Sequence, residues 1–128
     1  MTRFSHQVPG ISHPGRAAAV AQIGPLFASS LIVAVPPGAA GPAADLDGQV
    51  SDLFTMIERH LTHAGVGWDD AAKLDFYLAD GADPEAIEAS WLDQFPHDEM
   101  RPARQIHIDQ QLPDGIQVAA TFLAYRQS

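Results

Sequence analysis

From Leu46 onward the apolar residues Val50, Leu53, Phe54, Ile57, Leu61 and Ala64 recur at three- and four-residue intervals, and Gly65 and Gly67 follow where the pattern stops. That spacing predicts a long amphipathic helix with one buried stripe, closed by a glycine at the position that favours a left-handed backbone. A stripe of this length needs a partner surface, and the flanking segments supply strand patterns. After Pro25, LFASSLIVAV is β-branched and aromatic and stops at Pro36-Pro37. In Lys73 to Ala79, Leu74, Phe76 and Leu78 alternate with Lys73, Asp75 and Tyr77. Asp83-Pro84-Glu85 predicts a second helix start, with an N-cap, a proline in the first turn and an acid beside it. Ile87, Trp91 and Phe95 form that helix's stripe, and Pro96 closes it.

Two more strands are expected, over Arg104 to Gln110 and Ile116 to Tyr125. Leu112-Pro113-Asp114-Gly115 between them is a turn in which Gly115 can take positive φ, so residues 101 to 122 read as a hairpin. Residues 1 to 15, rich in Pro, Gly, Ser and His, read as an irregular N-terminal arm, and Arg16 to Gln22 as a short strand or a helical turn. PPGAAGPAAD is a loop. At 128 residues the chain is one domain, 1–128. The element order predicts an α+β fold, a mostly antiparallel sheet with two helices packed on one face.

Composition narrows the function. With a formal charge of −9 and only seven Lys and Arg, nucleic acid is not an expected partner. The absence of cysteine removes thiol nucleophiles, thiolate metal sites and disulfides. The N-terminus MTRFSHQVPG has no apolar signal core and no apolar run spans a bilayer, so no membrane association and a cytoplasmic location are expected. His60 and His63 stand three apart near a helix end, a spacing compatible with a metal but equally with the negative end of the helix dipole. No third ligand accompanies them, so no metal and no cofactor is expected. His107 and Asp109 sit two apart on one strand face, suited to orienting each other or to bonding within an oligomer. Ser29 and Ser30 lack a nucleophile elbow, and the glycines at 38 and 41 lack the Lys-Ser or Lys-Thr of a phosphate cradle.

The end of the chain carries a further signal: Pro102-Ala103-Arg104, then Leu112-Pro113 eight residues after the arginine, then a strand ending Phe122-Leu123-Ala124. Together with LFASSLIV and AAKLDFYLADGADPEAIEASW, these motifs resemble in order and spacing the RidA/YjgF family, also labelled endoribonuclease L-PSP, over about residues 17 to 125. The resemblance implies a chorismate-mutase-like fold, a homotrimer, and a cleft between subunits where the arginine of Pro-Ala-Arg, here Arg104, holds the carboxylate of a small 2-imino or 2-aminoacrylate acid. A planar, permanently charged guanidinium suits that task. The usual activity is hydrolysis of the imine to a 2-oxo acid and ammonia.

The chain departs from the family pattern at several of these positions. Ungapped counting from Leu112-Pro113 places Thr121 where active deaminases carry a water-positioning glutamate, and a threonine hydroxyl orients water without acting as a base near pH 7. Glu88 falls where many members have asparagine beside the cleft, so a carboxylate is present at a different position. Ile106 and Ile108 share the parity of Arg104, while Gln105, His107 and Asp109 lie on the face where the family tends to be apolar. That pattern implies either a bulge or an apolar pocket. Ser29-Ser30-Leu31 replaces the common Ser-Gly-Gln. The expected ligand contacts are Arg104, Ile106 and Ser30, with Thr121 and Glu88 as the candidates for chemistry and Arg101 as a rim or interface charge. The expected function is a RidA-like deaminase, or else a non-catalytic carboxylate-binding sensor of the same fold, with an endoribonuclease role disfavoured by the charge.

Overall fold

A computed structural model describes residues 2–11 and 16–127. Seven strands and two α-helices follow in the order β1 (Arg3–His6), β2 (Val20–Ile23), β3 (Leu26–Ser29), β4 (Ile32–Val33), α1 (Leu46–Ala64), β5 (Ala71–Ala79), α2 (Glu88–Gln94), β6 (Ala103–Gln110) and β7 (Val118–Tyr125). The sheet runs β1-β2-β3-β7-β5-β6, with β4 also pairing β7. Among the described residues only the β5–β6 pair is parallel. This is the expected α+β architecture.

The long helix forms where its stripe predicts. Asp45 caps it, its Oδ1 accepting from Gly48 N at 2.7 Å. Gly65 closes it at φ 89°, with Gly65 N donating to Thr62 O and Val66 N to Leu61 O, each at 3.0 Å. Val50, Leu53, Phe54, Ile57 and Leu61 of α1 pack with Leu74, Phe76 and Leu78 of β5 and Val118, Ala120, Phe122 and Ala124 of β7. All of these strand residues share the face that the helices cover.

Four expectations are corrected. Residues 101 to 122 do not form a hairpin: β6 and β7 each pair β5, which lies between them. The Pro113–Gly115 turn is present, with Gly115 at φ 81° and Ile116 N donating to Pro113 O at 3.0 Å. It bridges over an intervening strand, because β5 offers both of its edges. The N-terminal arm is not wholly irregular either, since Arg3–His6 pairs antiparallel with β2. Residues 12–15 of that arm lie outside the described residues. LFASSLIVAV is not one strand but two, broken at Ser30-Leu31, where Ser30 Oγ donates to Ala18 O at 2.7 Å. Finally, the turn after Asp83 is a tighter 3₁₀ turn over Pro84–Ile87 before α2 begins at Glu88. Of the two readings open for residues 16 to 22, the strand is realised from Val20.

No helix among the described residues is long and apolar enough to cross a membrane.

Candidate functional site

Arg104 lies on β6 opposite Leu74 of β5, so its side chain rises on the helix-covered face. There α2 meets it. The guanidinium carbon stands 4.7 Å from the centroid of the Trp91 ring, and Nη1 lies 2.9 Å from Glu88 Oε1. Glu88 and Trp91 are three residues apart on one helix, which places both on the same side of it. The Trp91 ring is fixed in turn by Phe76 and Phe95, at centroid distances of 6.1 and 4.7 Å. An aromatic ledge therefore holds the cation where a carboxylate reaches it.

The hydrogen-bonding capacity of Arg104 is not used up. Nη1 is sealed from solvent and, despite its short distance to Glu88, has no hydrogen-bond partner of good geometry among the described residues. A guanidinium offers five N–H donors, and the Arg104 side chain keeps 26% of its surface exposed. The arrangement supplies a fixed cation with donors to spare and a carboxylate beside it.

The other sequence candidates are placed as follows. Ile106 stands two residues along β6 on Arg104's side and packs partly against the core. Thr121 pairs with Asp75 across β5–β7, so it faces the helix-free side of the sheet, opposite to Arg104. Ser30 is at the β3–β4 break, where it lines a mainly apolar cavity of about 410 Å³ with Leu31, Ile32, Met56, His60 and Pro113. One chain thus brings Arg104, Glu88 and Ile106 together and leaves Thr121 and Ser30 apart from them.

Arg101, His60 and His107 have local partners. Arg101 Nε donates to Phe95 O at 2.8 Å, tying the end of α2 to the approach to β6. His60 is buried, and its Nδ1 donates to Met56 O at 2.7 Å. No group of three metal-ligating side chains occurs among the described residues. The carboxylate bonded to His107 is Asp75, at 2.9 Å, and not Asp109. Asp109 takes φ 55° in a bulge, where the β5–β6 register shifts between Tyr77 and Ala79. Of the two explanations for the strand pattern after Arg104, this bulge is present, but it lies beyond His107 and leaves Arg104 and Ile106 in regular register.

Sequence reasoning missed Trp91 as the platform for Arg104, reading it as core. The signal was its three-residue spacing from Glu88. It also missed Gln49, fully buried on α1, whose Nε2 donates to Ala43 O and Gly115 O and whose Oε1 accepts from Gln117 N. A glutamine next to Val50 and four residues before Leu53, inside an apolar stripe, was that signal.

Comparison with known proteins bears on the fold. No family model matches the sequence, and no curated protein matches it. Solved structures do. A yeast protein superposes with a TM-score of 0.87 at 16% identity, covering 98% of this chain and all of that one. The YjgF gene product of E. coli gives 0.84 at 18% identity over 97% and 99%. A protein of unknown function from the conserved Rid family of Yersinia pestis gives 0.86 at 17% over 98% and 100%. The chain therefore has the α+β fold of the YjgF/Rid proteins over nearly all of its described length, as the Pro-Ala-Arg and Leu-Pro motifs led us to expect.

Proposed function

We propose that this protein binds a small 2-imino or enamine acid through Arg104 and hydrolyses it to the 2-oxo acid and ammonia, as a RidA-like deaminase in the cytoplasm. The observation that carries this reading is the Arg104 guanidinium, held by Trp91 and Glu88 with 26% of its side chain still exposed to a ligand. The substrate carboxylate takes the free donors, and Glu88 is the carboxylate nearest to the bound acid. Water adds to the imine carbon as Glu88 takes one of its protons and passes it to the imine nitrogen; the carbinolamine then collapses as Glu88 takes the hydroxyl proton and passes it to the same nitrogen, so the 2-oxo acid forms and ammonia leaves. A positioned acid/base group of this kind contributes roughly a hundredfold or more.

The site works between copies of the chain in a homotrimer. Thr121 of one chain faces away from that chain's own Arg104, so a Thr121 contact with ligand requires a neighbouring subunit. Self-association through the helix-free face is supported by its chemistry. Ile23, Leu26, Leu123 and Tyr125 share that face and are each at least 43% exposed. Its paired strand residues carry Arg3, Lys73 and one acid, Asp75, out of 16 in the chain. Copies of a chain with charge −9 approach through this face with little repulsion.

A second reading, a non-catalytic carboxylate sensor, is favoured by the threonine at 121, which supplies no base. Turnover of 2-iminopropionate separates the two. Under the deaminase reading the wild type hydrolyses it and Glu88→Gln loses about a hundredfold in kcat. Carboxylate binding without turnover in either protein would favour the sensor.

A further inference from the structure

A polar cluster on the helix-free face is not used by the proposed chemistry. His107 Nε2 lies 2.9 Å from Asp75 Oδ1, and Lys73 Nζ lies 3.6 Å from the other carboxylate oxygen. The Tyr77 ring stacks on the imidazole, with centroids 4.6 Å apart and planes at 7°. Side-chain exposure is 30% for His107 and 18% for Asp75, so the pair is already half withdrawn from water. Gln105 and Thr121 flank Asp75 on the neighbouring strands. With the Nε2 hydrogen directed at Asp75, Nδ1 is the atom that gains or loses a proton.

The charge of the cluster depends on that proton. With a neutral imidazole, Lys73 and Asp75 cancel. With an imidazolium, the cluster carries one net positive charge. Water solvates this charge in a separated subunit. A second copy covering the face removes the water, and in a rotationally symmetric assembly it brings the same charge toward the first.

We infer that assembly of this chain through its helix-free face is proton-linked, with His107, oriented by Asp75 and Tyr77, loosening the assembly on acidification. The inference rests on the self-association reading above. Its sign follows from charge: covering the face disfavours the net positive state of the cluster, so assembly is firm at higher pH and loosens as pH falls. The groups facing His107 are Lys73, Asp75 and Tyr77 on β5, with Gln105 beside it on β6 and Thr121 beyond on β7. Among these residue types histidine is the one that ordinarily titrates between pH 5 and 8.

The test is sedimentation velocity over a dilution series at pH 8 and pH 5.5, at one ionic strength, for the wild type, His107→Gln and His107→Asn, with circular dichroism to check the fold. The expected result is a wild-type dissociation constant that rises on the order of tenfold or more on acidification, and variants that assemble without that rise. Equal wild-type assembly at both values would overturn the linkage and leave self-association standing. A monomer at both would overturn self-association and the linkage with it. The same acid response in the variants, or no assembly of either at pH 8, would also overturn the role given to His107.

Discussion

At Arg104 a cation rests on an indole ring while its nearest carboxylate sits 2.9 Å away without a well-directed hydrogen bond. The ring contributes about 0.5–2 kcal/mol of cation–π attraction and fixes the plane of the guanidinium, so less freedom is lost when a ligand binds. The resemblance placed Arg104 and Glu88 at one cleft, but their direct contact was not legible, because β6 and α2 meet through tertiary packing and not through local spacing. Gln49 shows the same limit. Its position in the helix stripe is local information, whereas its bonds to Gly115 and Gln117 span more than sixty residues. Gln49→Leu leaves Gln117 N–H and two carbonyls without their partner, so we expect a stability loss of roughly 2–4 kcal/mol by urea denaturation. A loss under about 0.5 kcal/mol would mean that water replaces the glutamine.

Among the elements, α1 was the most legible, since cap, stripe and closing glycine are all encoded within the segment itself. Gly65 holds a conformation that side chains resist, and a Cβ there would stand 2.9 Å from Arg126 Nη2. Gly65→Ala is expected to cost about 1–2 kcal/mol, seen as a lowered midpoint in thermal unfolding. The β6–β7 connection was less legible. A Leu-Pro-Asp-Gly turn specifies a reversal of direction but not whether a third strand enters between its arms, and here β5 does. The break at Ser30-Leu31 was hidden for a similar reason: apolar residues continue across it, and the Ser30 bond to Ala18 that marks it is a tertiary contact.

Over the whole molecule, the net charge of −9 and the scarcity of cations set what the protein encounters productively. Single-stranded RNA should bind weakly and be released at moderate salt, which filter binding at 50 and 200 mM salt would check; salt-resistant affinity would contradict it. The fold class was legible because its motifs are spread along the chain, whereas the proposed meeting of one chain's Thr121 with another's Arg104 would be a property of an assembly that no single strand pattern encodes. If Thr121 stands at the water-positioning place, Thr121→Glu should raise the rate of imine hydrolysis, and an unchanged rate would leave Glu88 as the working carboxylate. The most direct measurement is calorimetric titration of the wild type, Arg104→Ala and Arg104→Lys with a stable 2-oxo acid. The account predicts a loss of roughly a hundredfold or more in affinity for Arg104→Ala, a smaller loss for Arg104→Lys, and unchanged folding of both. Equal affinity in all three would contradict it and make Arg104 a structural partner of Glu88 and Trp91.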